Sequence, residues 1–217
     1  MNRREFIFSG GALFLASGCK SVLPCGSRPE LTFGAISDIH LTTEDSCARF
    51  AETLRYFKAA QVDAVLLSGD ISDYGVKFGW QLAKRTWDSV FAGTEVKAIF
   101  CTGNHDMEGW RYQDMAVDMF ANGQDGHDRI YPETAKAVWE EVFGEEWAPV
   151  RQRKVKGFTF LSCEYRHERE FAAWMAEHGE ELKGDKPFFY FQHLPISGTI
   201  PDERGRGDHN AIKPVLK

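Results

Sequence analysis

Three short polar segments, each directly after an apolar run, contain side chains that can bind metal ions. The segments are Asp38-Ile39-His40, Gly69-Asp70 and Gly103-Asn104-His105-Asp106. Continuous apolar runs are typical of buried parallel strands, and ligand sites in open α/β sheets form at the carboxyl ends of such strands. Carboxylate, imidazole and amide groups at one edge of a sheet therefore predict a site that holds two metal ions and carries out hydrolysis.

The chemistry of a two-metal site assigns a role to each of these side chains. Such a site holds two cations about 3.5–4 Å apart, which polarise a phosphoryl oxygen and lower the pKa of a bridging water. Asp70, after the middle strand, is the candidate for the carboxylate that both ions share. Asp38 and His40 alternate along an extended backbone, so both can reach one ion. Asn104 and His193, which follows a later apolar run, are expected to bind the other ion.

The third segment also contains a candidate proton donor. His105 follows Asn104 directly and can protonate a leaving oxygen, and Asp106 is expected to hold the ring of His105 in place. Mixed nitrogen and oxygen ligands favour Mn, Fe, Zn or Co over Ca or Mg. Three residues just after this segment are candidates for contact with substrate, although packing of an irregular insert explains them equally well: Trp110, Arg111 and Tyr112.

The elements that position these residues follow an alternating order. Apolar runs predict strands, and helical spacing predicts helices, in a βαβαβ unit with parallel strands and right-handed crossovers: strands 31–36, 62–68 and 96–101, with helices 46–60 and 78–91 between them. Further along, we predict a helix from Pro132 to Gly144 and a hairpin or two neighbouring strands over 150–162. An amphipathic helix over 168–182 and a buried strand over 187–192 are predicted to follow. The fold class is therefore α/β.

These residues resemble the calcineurin-like metallophosphoesterase family over 31–217. The family pattern runs Asp-x-His, Gly-Asp, Gly-Asn-His-Asp/Glu, a later His and finally Gly-His-x-His, and the three polar segments match its first part in order. The resemblance implies an α/β/β/α sandwich whose N-terminal half is the βαβαβ unit. It also implies two divalent or trivalent metal ions, and hydrolysis of small-molecule or lipid phosphomonoesters or phosphodiesters by a hydroxide that both ions activate.

The chain departs from the family pattern at several positions. Gln192 precedes His193, where the family has Gly or His, and no Gly-His-x-His follows. His209 lies in a loop sequence without that pattern, so we expect the domain to be truncated at its C-terminus. Asp73 resembles the second acid of a Gly-Asp-x-x-Asp variant, and we expect it to be an exposed acid that stabilises a turn.

A different class of function is also compatible with the missing motif. A catalytically inactive member of the family could serve as a binding scaffold. His105 and Asp106 argue against a scaffold, since binding alone needs no proton donor.

The N-terminal residues predict export rather than a folded element. Arg3 and Arg4 resemble a twin-arginine signal and precede an apolar stretch, 6–16, that is too short to span a bilayer. The residues that end at Cys19 resemble a lipoprotein cleavage site, at which Cys19 would carry the lipid. We therefore expect a signal over 1–19, a linker over 20–30 and a periplasmic or cell-surface domain that only a lipid anchor attaches to the membrane. A buried N-terminal helix is the alternative.

The amino-acid composition excludes several other classes of protein. The 217 residues are 43% hydrophobic and 27% charged, which is ordinary for one soluble globular domain. A net charge of -6 argues against a general nucleic-acid binder, so no specific nucleic-acid partner is expected. Five cysteines without a Cys-x-x-Cys pair exclude a zinc ribbon.

Overall fold

The computed structural model describes residues 29–108, 130 and 133–195. Candidate residues Cys19, Trp110, Arg111 and Tyr112 lie outside them, as does His209. The described strands are β1 (Phe33–Ile36), β2 (Ala64–Ser68), β3 (Lys97–Cys101), β4 (Val150–Val155), β5 (Phe158–Cys163) and β6 (Phe188–Phe191). The described helices are α1 (Glu44–Ala59), α2 (Lys77–Phe91), α3 (Asn104–Met107), α4 (Ala135–Phe143), α5 (Glu168–His178) and a 3₁₀ turn (Gly179–Leu182).

The first sheet is the predicted βαβαβ unit. Its strands run parallel in the order β1-β2-β3, with Phe33 paired with Ala64 and Ala64 paired with Lys97. α1 and α2 connect the strands, and Thr43 caps the start of α1 with a side chain that accepts a hydrogen bond from the backbone N–H of Ser46 at 3.2 Å. Because parallel strands need such crossovers, all three strands end at one edge of the sheet.

The second sheet begins with the predicted hairpin. β4 pairs antiparallel with β5 through a turn at Lys156 and Gly157, which have φ angles of 49° and 81°. Two successive residues with positive φ are typical of the two-residue turns that match strand twist. β6 pairs with β5 in parallel, so these two strands end at the same edge of their sheet.

The two sheets pack face to face between layers of helices. Ala64 and Leu66 of β2 pack against Phe160 and Phe191 of the second sheet. The alternate residues of β2 face the other way and pack with α1, α2 and α4. Phe171 of α5 packs on the outer face of the second sheet. These layers confirm the α/β/β/α sandwich.

The ends of two helices and the burial of one strand can be compared with the prediction. α4 ends at Gly144, as expected, in a left-handed conformation with a φ of 68°. The helix predicted over 168–182 is α-helical only to His178, and Gly179 begins the 3₁₀ turn. β6 is half-buried over most of its length rather than fully buried. Among the described residues, no helix is both long and apolar enough to cross a membrane.

Candidate metal centre

The segments that follow β1 and β2 stay paired beyond the ends of the strands. The backbone N–H of Asp38 donates to the carbonyl of Gly69 at 3.1 Å, and the N–H of His40 donates to the carbonyl of Asp70 at 3.0 Å. These backbone hydrogen bonds fix the main chain at three candidate ligands, Asp38, His40 and Asp70.

The same three ligands have an uncommon backbone conformation. The φ angles of Asp38, His40 and Asp70 are 56°, 48° and 49°, in the left-handed region that few residues other than glycine adopt. The extended backbone that we expected at Asp38 and His40 is therefore wrong. Such conformations cost about 1–3 kcal/mol each and persist where the surrounding structure enforces them, often at functional sites.

Asp70 lies at the centre of the candidate ligands. The residue is 3% exposed, and the backbone N–H of His105 donates to its Oδ1 at 2.8 Å. Its Oδ2 lies 3.2 Å from Nε2 of His193 and 3.8 Å from Nε2 of His40. A buried carboxylate with imidazoles on two sides is suited to bridge two cations.

Two groups of potential ligands share Asp70. Within each, the ligand atoms lie within 4.8 Å of one another: His40, Asp70 and His105 in one group, and Asp38, Asp70 and His193 in the other. The carboxylate and imidazole donors fit Mn, Fe, Zn or Co. Asp38 and His40, which we expected to share an ion, fall in different groups. Their side chains are nevertheless 4.0 Å apart, and ligand bonds of about 2.0–2.2 Å would let one ion contact both.

His193 reaches the site from the second sheet, just after β6. Its Nδ1 lies 3.0 Å from the carbonyl oxygen of Ser68, to which it can only donate, so Nε2 is left to face Asp70. Gln192 stabilises the turn around His193 by donating from Nε2 to the carbonyl of Leu194 at 2.5 Å. The Gln192 that departs from the family pattern thus has a local structural role.

Asn104 is half-buried and is the first residue of α3, directly after Gly103. The next residue, His105, donates its backbone N–H to Asp70, which places this end of α3 against the shared carboxylate. A Cβ atom at Gly103 would lie 2.1 Å from Oδ1 of Asp70. Glycine is therefore required for the ligands after β2 and β3 to approach this closely.

Replacing Gly103 with alanine is expected to weaken metal binding, because the added methyl group must displace the carboxylate of Asp70. Overpacking of this kind typically costs about 1–3 kcal/mol. Calorimetric titration with Mn²⁺ and a thermal unfolding curve would measure both effects. Gly184→Ala is the matched control, because a Cβ there meets no atom within 4 Å. Equal Mn²⁺ affinity in the two variants would contradict the steric requirement.

Asp73 lies inside the site, so the prediction of an exposed acid is wrong. Its side chain is 16% exposed, and its Oδ1 lies 2.5 Å from Nδ1 of His105 and 3.2 Å from Nδ1 of His40. It also accepts from the backbone N–H of Tyr74 at 3.1 Å, which is the expected turn contact.

Asp106 has a different role from the one expected. It is fully buried, and its carboxylate accepts from the backbone N–H groups of Ser72 at 2.7 Å and Gly103 at 2.8 Å and from the indole of Trp80 at 3.0 Å. Adjacent residues of a helix do not face the same side, which explains why Asp106 joins the segments after β2 and β3 while Asp73 contacts His105.

The ionisable groups of the site shift one another's pKa values. Burial disfavours a charged imidazole at His193, but Asp70 outweighs burial and raises the pKa of His193 to about 9. Burial likewise opposes the charge of Asp70, yet His193 lowers the pKa of this carboxyl. Burial also opposes ionisation of Asp73, but hydrogen bonds from His105 and His40 hold its pKa well below its usual range. Burial, together with the charge of Asp70, raises the pKa of Asp106 to about 6.

Comparison with known proteins agrees with this geometry. The model of a family described as calcineurin-like phosphoesterase matches residues 31–216. No curated protein matches the chain. Among solved structures, a dimetal phosphatase from Danio rerio is similar, with a TM-score of 0.49 and 13% sequence identity over 87% of this chain and 78% of that chain. The family match over residues 31–216 shows that the chain belongs to the calcineurin-like phosphoesterase family and is a metal-dependent phosphoesterase.

Proposed function

We propose that the chain hydrolyses phosphomonoesters or phosphodiesters of small molecules or lipids, with two metal ions bound around Asp70. The observation that carries this proposal is the position of Asp70, which belongs to both groups of potential ligands. In the proposed site Asp38, His40, Asp70, Asn104 and His193 hold the ions.

The bound ions would polarise the phosphoryl oxygens and activate water as the nucleophile. The protein's own residues would supply the proton that the leaving group needs. Nδ1 of His105 faces Oδ1 of Asp73 at 2.5 Å, so the ring is oriented and its other nitrogen, Nε2, can carry a proton. In the proposed reaction Nε2 donates that proton to the leaving oxygen as the ester bond breaks.

The alternative function, an inactive binding scaffold, is less well supported. A histidine that a carboxylate orients beside the shared ligand is suited to protonate a leaving oxygen, and a protein that only binds needs no proton donor. The ordered contact between His105 and Asp73 is therefore the feature that favours catalysis.

Metal removal tests the proposal directly. Chelation of the purified full chain should abolish hydrolysis of p-nitrophenyl phosphate or bis(p-nitrophenyl) phosphate, and adding Mn²⁺, Fe²⁺, Zn²⁺ or Co²⁺ should restore it. The ratio of the two activities would separate a monoesterase from a diesterase. A chain that binds metal but hydrolyses neither ester would instead support the scaffold.

We also propose that the protein is exported and attached to the membrane through a lipid at Cys19. Replacing Arg3 and Arg4 with lysine should block export if the twin-arginine route is used, because the receptor recognises the arginine pair itself. Cys19→Ser should release the domain into the soluble fraction or leave the precursor uncleaved. Cell fractionation with an antibody would measure both. Wild-type protein found free in the cytoplasm would contradict the proposal.

A further inference from the structure

The segment directly after β5 contacts the backbone that leads into α3. Glu164 is 1% exposed, and its Oε2 accepts two hydrogen bonds from Thr102, one from the backbone N–H at 2.8 Å and one from the hydroxyl at 2.7 Å. Thr102 lies two residues before Asn104. A buried carboxylate of the second sheet therefore holds the backbone from which a candidate metal ligand and the candidate proton donor project.

The carboxylate of Glu164 is itself fixed in orientation. Nη2 of Arg151 donates to its other oxygen, Oε1, at 2.6 Å and to the carbonyl of Phe100 at 3.0 Å. The guanidinium also lies 4.1 Å from the centre of the Trp139 ring. Buried ion pairs are often no more stabilising than apolar residues of the same size, so stability alone does not account for this arrangement.

Tyr165, the residue after Glu164, forms hydrogen bonds at both ends of the segment that contains α3. The backbone N–H of Tyr165 donates to the hydroxyl of Thr102 at 3.3 Å, and its own hydroxyl donates to buried Glu108 at 2.8 Å. Glu108 follows α3 and is also paired with Arg166 at 3.0 Å. Residues 164–166 therefore hold both the start and the end of the segment that contains α3.

We propose that Glu164, acting through Thr102, is a positioning residue for Asn104 and His105. This inference rests on the proposed function, because the position of these side chains matters only if they take part in the metal-dependent reaction. Residues that orient metal ligands typically contribute about 10- to 100-fold to metal affinity or activity. A small displacement of a reacting group can reduce the rate by about 10²-fold.

The hydroxyl of Thr102 offers a test with little risk to the fold. Thr102→Val keeps the shape of the side chain but loses the hydroxyl that joins Glu164 and Tyr165, whereas Thr102→Ser keeps it. We expect the valine variant to lose about 10- to 100-fold in Mn²⁺ affinity or in kcat, with KM for p-nitrophenyl phosphate almost unchanged. The serine variant should retain values close to the wild type.

Asp63→Asn provides a matched control at the opposite edge of the sheets. Asp63 accepts from the backbone N–H of Thr32 at 2.9 Å and pairs with Lys156 at 2.8 Å, so it also joins a backbone group of one sheet to a cation of the other. This variant should lower the melting temperature without changing Mn²⁺ affinity or kcat. Glu164→Gln should resemble Thr102→Val where circular dichroism shows that it is folded.

The outcomes separate this inference from the proposed function. If the wild type binds Mn²⁺ and hydrolyses the ester while Thr102→Val matches Thr102→Ser, the positioning role is wrong and the function stands. The same holds if Thr102→Val and Asp63→Asn lose activity only in proportion to their loss of stability. If the wild type neither binds Mn²⁺ nor hydrolyses the ester, both proposals fail.

Discussion

Replacing Asp70 with asparagine is expected to remove metal binding and phosphoesterase activity together while leaving the fold intact. Asparagine has the same shape but no charge, and Asp70 is the carboxylate common to both ligand groups. Metal ions supply several kcal/mol of transition-state stabilisation. A loss of about 4 kcal/mol corresponds to about 10³-fold in rate. Titration with Mn²⁺ and hydrolysis of p-nitrophenyl phosphate would measure the two effects.

The metal binding of Asp70→Asn is best compared with that of Asp38→Asn. Asp38 belongs to only one of the two groups, so its loss should weaken one ion more than the other, whereas Asp70→Asn should weaken both. Circular dichroism and thermal unfolding of the metal-free variants would establish that each is folded. If Asp70→Asn still bound two equivalents of Mn²⁺ with wild-type affinity, Asp70 could not be the shared ligand.

The second large effect is expected for His105→Ala, which should keep its metal but lose kcat by about 10²–10⁴-fold, the usual contribution of a general acid. His105 also stands in a potential ligand group with His40 and Asp70, so metal content is the deciding measurement. A loss of metal equal to that of Asp70→Asn would make His105 a ligand rather than the proton donor.

The choice of substrate sharpens this experiment. A p-nitrophenolate ion leaves readily without a proton, whereas a phenolate or alkoxide needs one. His105→Ala should therefore lose more activity on phenyl phosphate than on p-nitrophenyl phosphate. Asp73→Asn should show the same preference with a smaller loss, because it weakens the orientation of the ring and leaves the imidazole in place. An equal loss on both esters would contradict the role in leaving-group protonation.

The ligand-bearing edge could be predicted because each polar segment follows its own strand within a few residues. Parallel pairing then brings Asp38, Asp70 and Asn104 to one edge without further information. The layers of the sandwich, by contrast, were implied by the family resemblance. A local sequence pattern can predict the position of a ligand only where that ligand follows its strand directly in the chain.

The roles of the two nearby acids could not be assigned in this way. Asp106 was expected to orient His105 because it is adjacent in sequence, yet adjacent helical residues point in different directions. Asp73 was expected to be an exposed acid that stabilises a turn, yet its side chain lies against two imidazoles. The contact between Glu164 and Thr102 spans 62 residues and joins two sheets, so no local pattern indicates it.

His193 follows the last described strand of the second sheet, whereas Asp38 and Asp70 follow strands of the first. An ion held by these three residues would join the two sheets at their common edge, much as a disulfide joins two strands. A ligand that binds only the folded state adds about 2.7 kcal/mol of stability at 100 times its dissociation constant. The resistance of the domain to proteolysis would then depend on the metal supply of its surroundings, because a bound ion favours the folded state.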